Sequence, residues 1–131
     1  MHKFEGITPT VANVRPTSRG EIKTVSNDSR VYPKIKMNYL STDDDRYVAA
    51  LGLKLVRKIM LETETFKKYE PEEYRPGAHI EDNEELVKAA SDYAQTIFHP
   101  VGTCKMGNDD GAVVSDKLTA VSYTHLRAHE T

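Results

Sequence analysis

Residues 42–60 have the sequence TDDDRYVAALGLKLVRKIM. The stretch opens with the pattern of a helix start. The Thr42 hydroxyl can accept a hydrogen bond from a free amide, and the three aspartates that follow complement the positive end of the helix dipole. Apolar residues then recur at helical spacing, which predicts a helix that packs this side inward. They are Val48, Leu51, Gly52, Leu55, Val56, Ile59 and Met60.

Upstream of this helix, apolar and polar residues alternate in residues 20–26 (GEIKTVS) and again in residues 34–40 (KIKMNYL). A period of two residues is typical of half-buried strands, and Asn27, Asp28 and Pro33 mark the turns. We therefore expect short strands of an antiparallel or mixed sheet with one face in solvent.

Downstream, two prolines and a glycine among charges make residues 69–80 a connecting loop. Asp82, with Glu85 three residues later, forms the cap of a second helix. We expect this helix to end near Phe98, because the next residue precedes a proline and is pushed into extended geometry. Residues 112–114 (AVV) indicate another strand. The apolar side of the second helix comprises Leu86, Ala89, Ala90, Tyr93 and Ile97.

The composition fits one folded domain. The chain has 131 residues, of which 38% are hydrophobic and 29% charged. This is the size of an ordinary single domain, and the composition differs from that of disordered chains. Strands followed by helices and a further strand place the fold in the α+β class.

The charges indicate no macromolecular partner. The 20 acidic and 18 basic residues are interspersed and give a net charge of −2, so we expect neither nucleic acid nor an anionic membrane as a partner. Cys104 is the single cysteine, which excludes an intrachain disulfide and favours a cytoplasmic location. No apolar run predicts a membrane span, and residues 1–6 (MHKFEG) lack the apolar run of a signal peptide.

The candidate chemistry lies in residues 98–107, FHPVGTCKMG. His99 is a titratable imidazole at the end of the predicted helix, Pro100 stiffens its backbone, and Gly102 and Gly107 let another group approach closely. The pattern leaves a second interpretation open, in which His99 is a partly buried histidine hydrogen-bonded at a helix end.

Other chemistries have less support from the residues. A metal site would combine His99 with Cys104 and His79, but no second cysteine completes a tetrahedral set. Cys104 and His99 lie five residues apart with no third group to orient the base, so we interpret Cys104 as a small buried hydrophobe. The helix start explains the carboxylates of residues 43–45 without a cation, and the sequence contains no glycine-rich phosphate loop.

Five stretches of the sequence occur together in one known family. They are residues 15–20 (RPTSRG), 33–40 (PKIKMNYL), 76–77 (PG), 96–107 (TIFHPVGTCKMG) and 112–114 (AVV). In this order and with this spacing, from about Gly6 to Leu118, the sequence resembles the C-terminal domain of glucose-methanol-choline (GMC) oxidoreductases. Within that family it is most similar to the choline-dehydrogenase-like flavoproteins.

The resemblance implies a two-lobed FAD-dependent oxidoreductase, of which residues 1–119 would be an incomplete substrate-binding lobe with an antiparallel or mixed sheet and packing helices. His99 matches the family's histidine at the flavin. It would therefore act as general base in the oxidation of the CH–OH group of a small alcohol, choline or another primary alcohol, with hydride transfer to FAD. The family's FAD-binding lobe and its second active-site histidine or asparagine have no counterpart here. A non-catalytic substrate-lobe binding module and a structural α+β domain stay open as alternatives.

Residues 120–131 are predicted to be a non-native tail. Residues 121–131 (VSYTHLRAHET) resemble one reading frame of a transposase-type sequencing adapter, with the junction near Thr119. We therefore expect the tail to be disordered and do not interpret His125 and His129 as a zinc pair.

Overall fold

Regular structure in residues 4–120, the part of the chain that this computed structural model describes, consists of three helices and one two-stranded sheet. The elements confirm the predicted α+β class. The described residues form two compact units, one of residues 4–20 with Met37–Gln95 and the other of Glu21–Lys36 with residues 96–120. In chain order the elements are β1 (Glu21–Lys23), β2 (Lys34–Lys36), α1 (Asp43–Glu62), α2 (Glu64–Lys67) and α3 (Asn83–Tyr93).

Both long helices begin at the residues that the sequence predicts. The Thr42 hydroxyl accepts a hydrogen bond from the Asp45 amide at 3.4 Å at the start of α1. At the start of α3, the Asp82 carboxylate accepts from the amides of Glu84 and Glu85, at 2.8 and 3.2 Å. In each case a side chain satisfies amides that have no partner within the helix.

The first unit is built on the packing of α1 against α3. The Lys54 ammonium of α1 also donates to the Asn83 side-chain oxygen at 2.7 Å, at the first residue of α3. Few apolar side chains are fully covered, so the core is small. Its buried members are Ala50, Leu86 and Ala89, and Leu86 has no exposed surface.

The prediction of which α1 residues face inward is partly wrong. Gly52 is buried as expected, but three large residues of the predicted inward side are between 42% and 56% exposed, namely Leu51, Leu55 and Ile59. The covered surface is centred on small residues because the N-terminal segment approaches α1 closely there. A Cβ atom on Gly52 would lie only 2.8 Å from Cγ1 of Val11.

The predicted end of α3 near Phe98 is also wrong, since the helix ends at Tyr93. Beyond it, the Phe98 amide donates to the Thr96 hydroxyl at 3.1 Å, a local bond that competes with helix continuation. The proline at position 100 therefore sets only an outer limit for the helix. Tyr93 and Ile97, predicted on its apolar side, are 52% and 59% exposed.

Three hydrogen bonds join residues 17–19 to residues 38–42, and we call this pair of segments the stem. The stem belongs to the first unit and closes the chain around the segment that carries β1 and β2. The bonded pairs are Thr17 Oγ1 with Thr42 Oγ1 (2.6 Å), the Ser41 amide with Ser18 Oγ (3.0 Å) and Asn38 Nδ2 with the Arg19 carbonyl (2.9 Å).

A bidentate ion pair attaches the loop that follows α2 to α1. The Arg57 guanidinium donates to both carboxylate oxygens of Glu73, at 2.7 and 2.9 Å, and also to the Ile80 carbonyl at 3.0 Å. The Glu73 carboxylate in turn accepts from the Gly77 amide at 3.2 Å. The loop predicted for residues 69–80 is confirmed, and these bonds attach it to α1; the short helix α2 was not predicted.

We expect Glu73→Ala to lower the free energy of unfolding by about 2 kcal/mol, because it leaves the guanidinium, only 19% exposed, without its carboxylate. Urea denaturation of the chain measures this change. The control is Glu64→Ala, which removes a carboxylate that is 90% exposed and pairs with Lys67; it should cost about 0.5 kcal/mol or less. Equal losses of unfolding free energy for the two variants would show that the ion pair between Arg57 and Glu73 is not a specific stabilising contact.

The second unit contains the two-stranded sheet. β1 and β2 pair antiparallel, with Ile22 opposite Ile35, as predicted for short strands. The prediction that they are half-buried is wrong, because every residue of both strands is exposed. A strand is buried only when another layer packs on the sheet, and no described residue covers either strand of this ribbon.

Residues 105–120 of the same unit form a closed turn. The Lys105 carbonyl accepts from the amides of Val113 and Val114, and the Gly107 amide donates to the Val114 carbonyl at 2.9 Å. Val114 is buried and bridges to Met106 and to Ala120. The strand predicted at residues 112–114 is thus reduced to two isolated bridges, one parallel and one antiparallel.

Candidate active site

His99 lies in an irregular segment of the second unit, six residues after the end of α3. Two of its neighbours have left-handed backbone: Phe98 with φ of 64° and Gly102 with φ of 97°. Glycine adopts this conformation readily, whereas for a bulky residue such as Phe98 it is strained. Backbone strain of this kind is concentrated at functional sites.

The imidazole of His99 is exposed, and no described residue forms a hydrogen bond or ion pair with it. The alternative of a partly buried histidine bonded at a helix end is therefore wrong. The backbone on either side is restrained instead, by the bond from the Phe98 amide to Thr96 and by the fixed φ of Pro100. A group held in this way can present its ring nitrogens to a reactant.

Apolar residues flank this histidine in the sequence, and their side chains are exposed. Phe98 is 85% exposed, Val101 90% and Ile97 59%. Exposed apolar side chains close together in the sequence are candidates for contact with a ligand or another protein surface. Gly102 adds an open backbone face, since a Cβ at that position would meet no atom within 4 Å.

The turn after the histidine is stabilised by an exposed ion pair. The Lys105 ammonium binds the Asp109 carboxylate, which also accepts from the Gly111 amide at 2.9 Å. These two bonds, that of Lys105 first, hold the pKa of Asp109 below its ordinary value. Because both side chains are exposed, the pair orders the turn without adding much stability.

The other residues that the sequence analysis considered for chemistry lie in different surroundings. Cys104 is exposed, so its interpretation as a buried hydrophobe is wrong. His79 belongs to the first unit, where its ring lies against Gly77. Within residues 4–120, no group of three histidine, cysteine or acidic side chains is arranged to hold a metal ion. His125 and His129 lie outside the described residues.

Among the aspartates of residues 43–45, Asp45 has a role that the sequence analysis missed. It is 4% exposed, and its carboxylate accepts from the amides of Thr17 and Ser18, both at 2.9 Å, and from the Asn13 side chain at 3.1 Å. The prediction that all three carboxylates only complement the helix dipole is therefore wrong for Asp45.

The same contacts determine the charge of Asp45. Burial would raise its pKa, but hydrogen bonds from the Ser18 side chain and from the Thr17 and Ser18 amides outweigh burial and lower the pKa from 3.8 to about 2. The group is an ionised structural anchor that ties the N-terminal segment to α1. Its oxygens are occupied by protein donors, so it does not form a cation site.

One open groove is formed within the first unit. Its volume is about 320 Å³, and it lies between the start of α1 at Arg46 and the α3 residues Val87 and Lys88. It includes no residue for which the sequence predicts chemistry. A helix with the length and hydropathy of a membrane span is absent from residues 4–120.

Three bacterial relatives have sequences similar to this chain. The oxygen-dependent choline dehydrogenase of Pseudomonas putida is 40% identical over 112 residues, which are 86% of this chain and 20% of that protein. The proteins of the same name from Pseudomonas entomophila and Proteus mirabilis are each 39% identical over the same shares. The chain thus spans about a fifth of the length of the curated relatives it matches.

A family comparison covers most of the chain. Residues 16–129 match the family described as GMC oxidoreductase, a range that contains His99 and all five helices and strands. The range also includes most of residues 120–131. From residue 121 on, these lie outside the described residues, so their origin and their disorder stay predictions. The chain belongs to the GMC oxidoreductase family.

Proposed function

We propose that this chain is part of an FAD-dependent oxidoreductase that acts on the CH–OH group of a small alcohol. In this proposal His99 is the general base, which takes the hydroxyl proton while the α-hydrogen leaves as hydride to the flavin. The observation that carries the proposal is the exposed His99 imidazole in a strained, proline-restrained segment of a family member. Because the relatives are named choline dehydrogenases, choline or a similar primary alcohol is the first substrate to test.

The proton step explains why the reaction requires a base. An alcohol is a very weak acid, so loss of hydride from its carbon is favoured when the hydroxyl proton is removed as the carbonyl forms. Imidazole exchanges protons near neutral pH, and in its neutral form it has one nitrogen free to accept. That nitrogen must come within about 3 Å of the substrate oxygen. An exposed ring on a restrained backbone supports this role, because its nitrogens are accessible to a reactant.

FAD fits the described residues only in part. The open apolar surface of Phe98 and Val101, with the uncovered backbone of Gly102, suits contact with a flat ring system. No glycine-rich loop is present to hold a pyrophosphate, and the open groove of the first unit does not provide one. The nucleotide half of FAD would be bound by other parts of the full-length protein.

The test is made on the full-length protein purified from its own gene. We expect flavin absorbance that persists through gel filtration, together with oxidation of choline or a simple primary alcohol. The 131-residue chain alone is the matched control and should retain no flavin. Bound flavin without oxidation of any alcohol would favour the non-catalytic binding module, and a full-length protein without flavin would favour the structural domain.

A further inference from the structure

The segment that carries His99, residues 95–101, is held by very few contacts. Its one hydrogen bond runs from the Phe98 amide to the Thr96 hydroxyl, at 3.1 Å. In the part of the chain that the structure describes, no other hydrogen bond involves a residue of this segment. The fixed φ of Pro100 restrains the backbone after the histidine. Before the histidine, the bond to Thr96 is the restraint.

This bond acts on the residue that carries the backbone strain. Phe98 has φ of 64°, in the left-handed region that is unfavourable for a bulky side chain. Rotation of the planar Ile97–Phe98 peptide relieves the strain, because it takes φ of Phe98 to negative values. The same rotation turns the Phe98 amide away from the Thr96 hydroxyl and breaks their bond. The hydroxyl therefore holds Phe98 in the left-handed conformation.

We propose that Thr96 is a positioning residue for His99. Because His99 directly follows Phe98, a change of φ at Phe98 changes the direction of the Cα–Cβ bond that carries the imidazole. By holding that φ, the Thr96 hydroxyl sets the direction in which the ring is presented. The role rests on the proposed function, in which this ring accepts the proton of the alcohol. A misplacement of about 1 Å in an active site can lower the rate by about 10²-fold.

Steady-state kinetics of the full-length protein, with choline or the primary alcohol that it oxidises fastest, tests this role. Thr96→Val removes the hydroxyl and keeps the shape of the side chain. We expect kcat to fall by about ten- to a hundredfold, with KM unchanged. The midpoint of the rise of kcat/KM with pH should also stay the same, because the imidazole still titrates. Thr96→Ser keeps the hydroxyl and should recover most of the rate, and flavin absorbance should persist in both variants.

A double-mutant cycle tests whether the bond acts through the backbone of Phe98. Glycine adopts a positive φ readily and does not need the hydroxyl to hold it there. We therefore expect Thr96→Val to lower kcat by about threefold or less when it is introduced into the Phe98→Gly variant. A threonine that only stabilises the segment would lose the same factor in both backgrounds.

Three results would overturn the positioning role. They are wild-type turnover of Thr96→Val, equal kcat for Thr96→Val and Thr96→Ser, and equal losses in the two backgrounds of the cycle. If Thr96→Val does not bind flavin, Thr96→Ala is measured in the same way. Wild-type turnover of His99→Ala would refute the proposed function together with this role. Slow turnover of His99→Ala beside normal turnover of Thr96→Val would refute the positioning role alone.

Discussion

His99→Ala in the full-length protein is expected to lower kcat for alcohol oxidation by about 10²- to 10⁴-fold, the usual contribution of a positioned general base. Flavin should remain bound, because the described residues give this imidazole no structural partner to lose. Steady-state kinetics with the preferred alcohol, together with flavin absorbance of the purified variant, measures both effects. Turnover near that of the wild type would refute the assignment.

The pH profile separates a base from a merely structural residue. A base accepts the proton only when it is neutral, so wild-type kcat/KM should rise with pH as the base loses its own proton. His99→Ala should flatten that rise, and added imidazole should restore part of the rate. Cys104→Ser is the matched control, since Cys104 lies five residues away in the same irregular segment and is also exposed. Its kinetics should be unchanged.

Asp45→Ala is expected to lower the free energy of unfolding by about 3 kcal/mol, a large effect for an unpaired buried polar group. The substitution removes the acceptor of the Thr17 and Ser18 amides and leaves them without their partner in the stem. Urea denaturation followed by helical circular dichroism measures the loss. Asp44→Ala is the control, because this neighbour is exposed and only complements the helix dipole; it should cost about 0.5 kcal/mol.

The anchor also gives stability a defined acid dependence. The folded-state pKa of Asp45 is lowered from 3.8 to about 2, so its contribution is fully present above about pH 4 and is lost as the pH falls towards 2. After allowance for solvent screening, the pH-dependent part is about 1 to 2 kcal/mol. Asp45→Asn should remove most of this slope between pH 4 and 2. An unchanged slope would show that another carboxylate is responsible.

Local signals in the sequence were sufficient for the helix starts. The caps at Thr42 and Asp82 lie within three residues of the amides that they satisfy, so the pattern alone identifies them. The end of α3 was missed because Pro100 only limits how far the helix can extend, whereas the backbone already becomes extended at Ala94. The α+β class followed from the order of elements and did not depend on either boundary.

Burial could not be predicted in the same way. The apolar residues at helical spacing in α1 identified the side chains that can be covered, but which of them are covered depends on neighbours distant in sequence. Asp45 did carry a signal, since it precedes Gly52 by seven residues and Val56 by eleven and therefore lies on the apolar side of α1. A carboxylate on an apolar side requires donors from elsewhere, which here come from residues 13–18. Similarly, the alternation in the two strands gave their positions but not their exposure.

The stem has a consequence for how the chain tolerates changes in length. Its bonds bring residues 19 and 38 together, so the segment between them is a closed loop whose ends are fixed by the helical unit. The entropy lost in closing such a loop grows only with the logarithm of its length, about 0.6 kcal/mol for each doubling. Residues inserted or removed at the turn between β1 and β2 therefore change the closure entropy little, while the bonds that anchor α1 stay intact. In this fold the ribbon is the part that can vary in length at small thermodynamic cost.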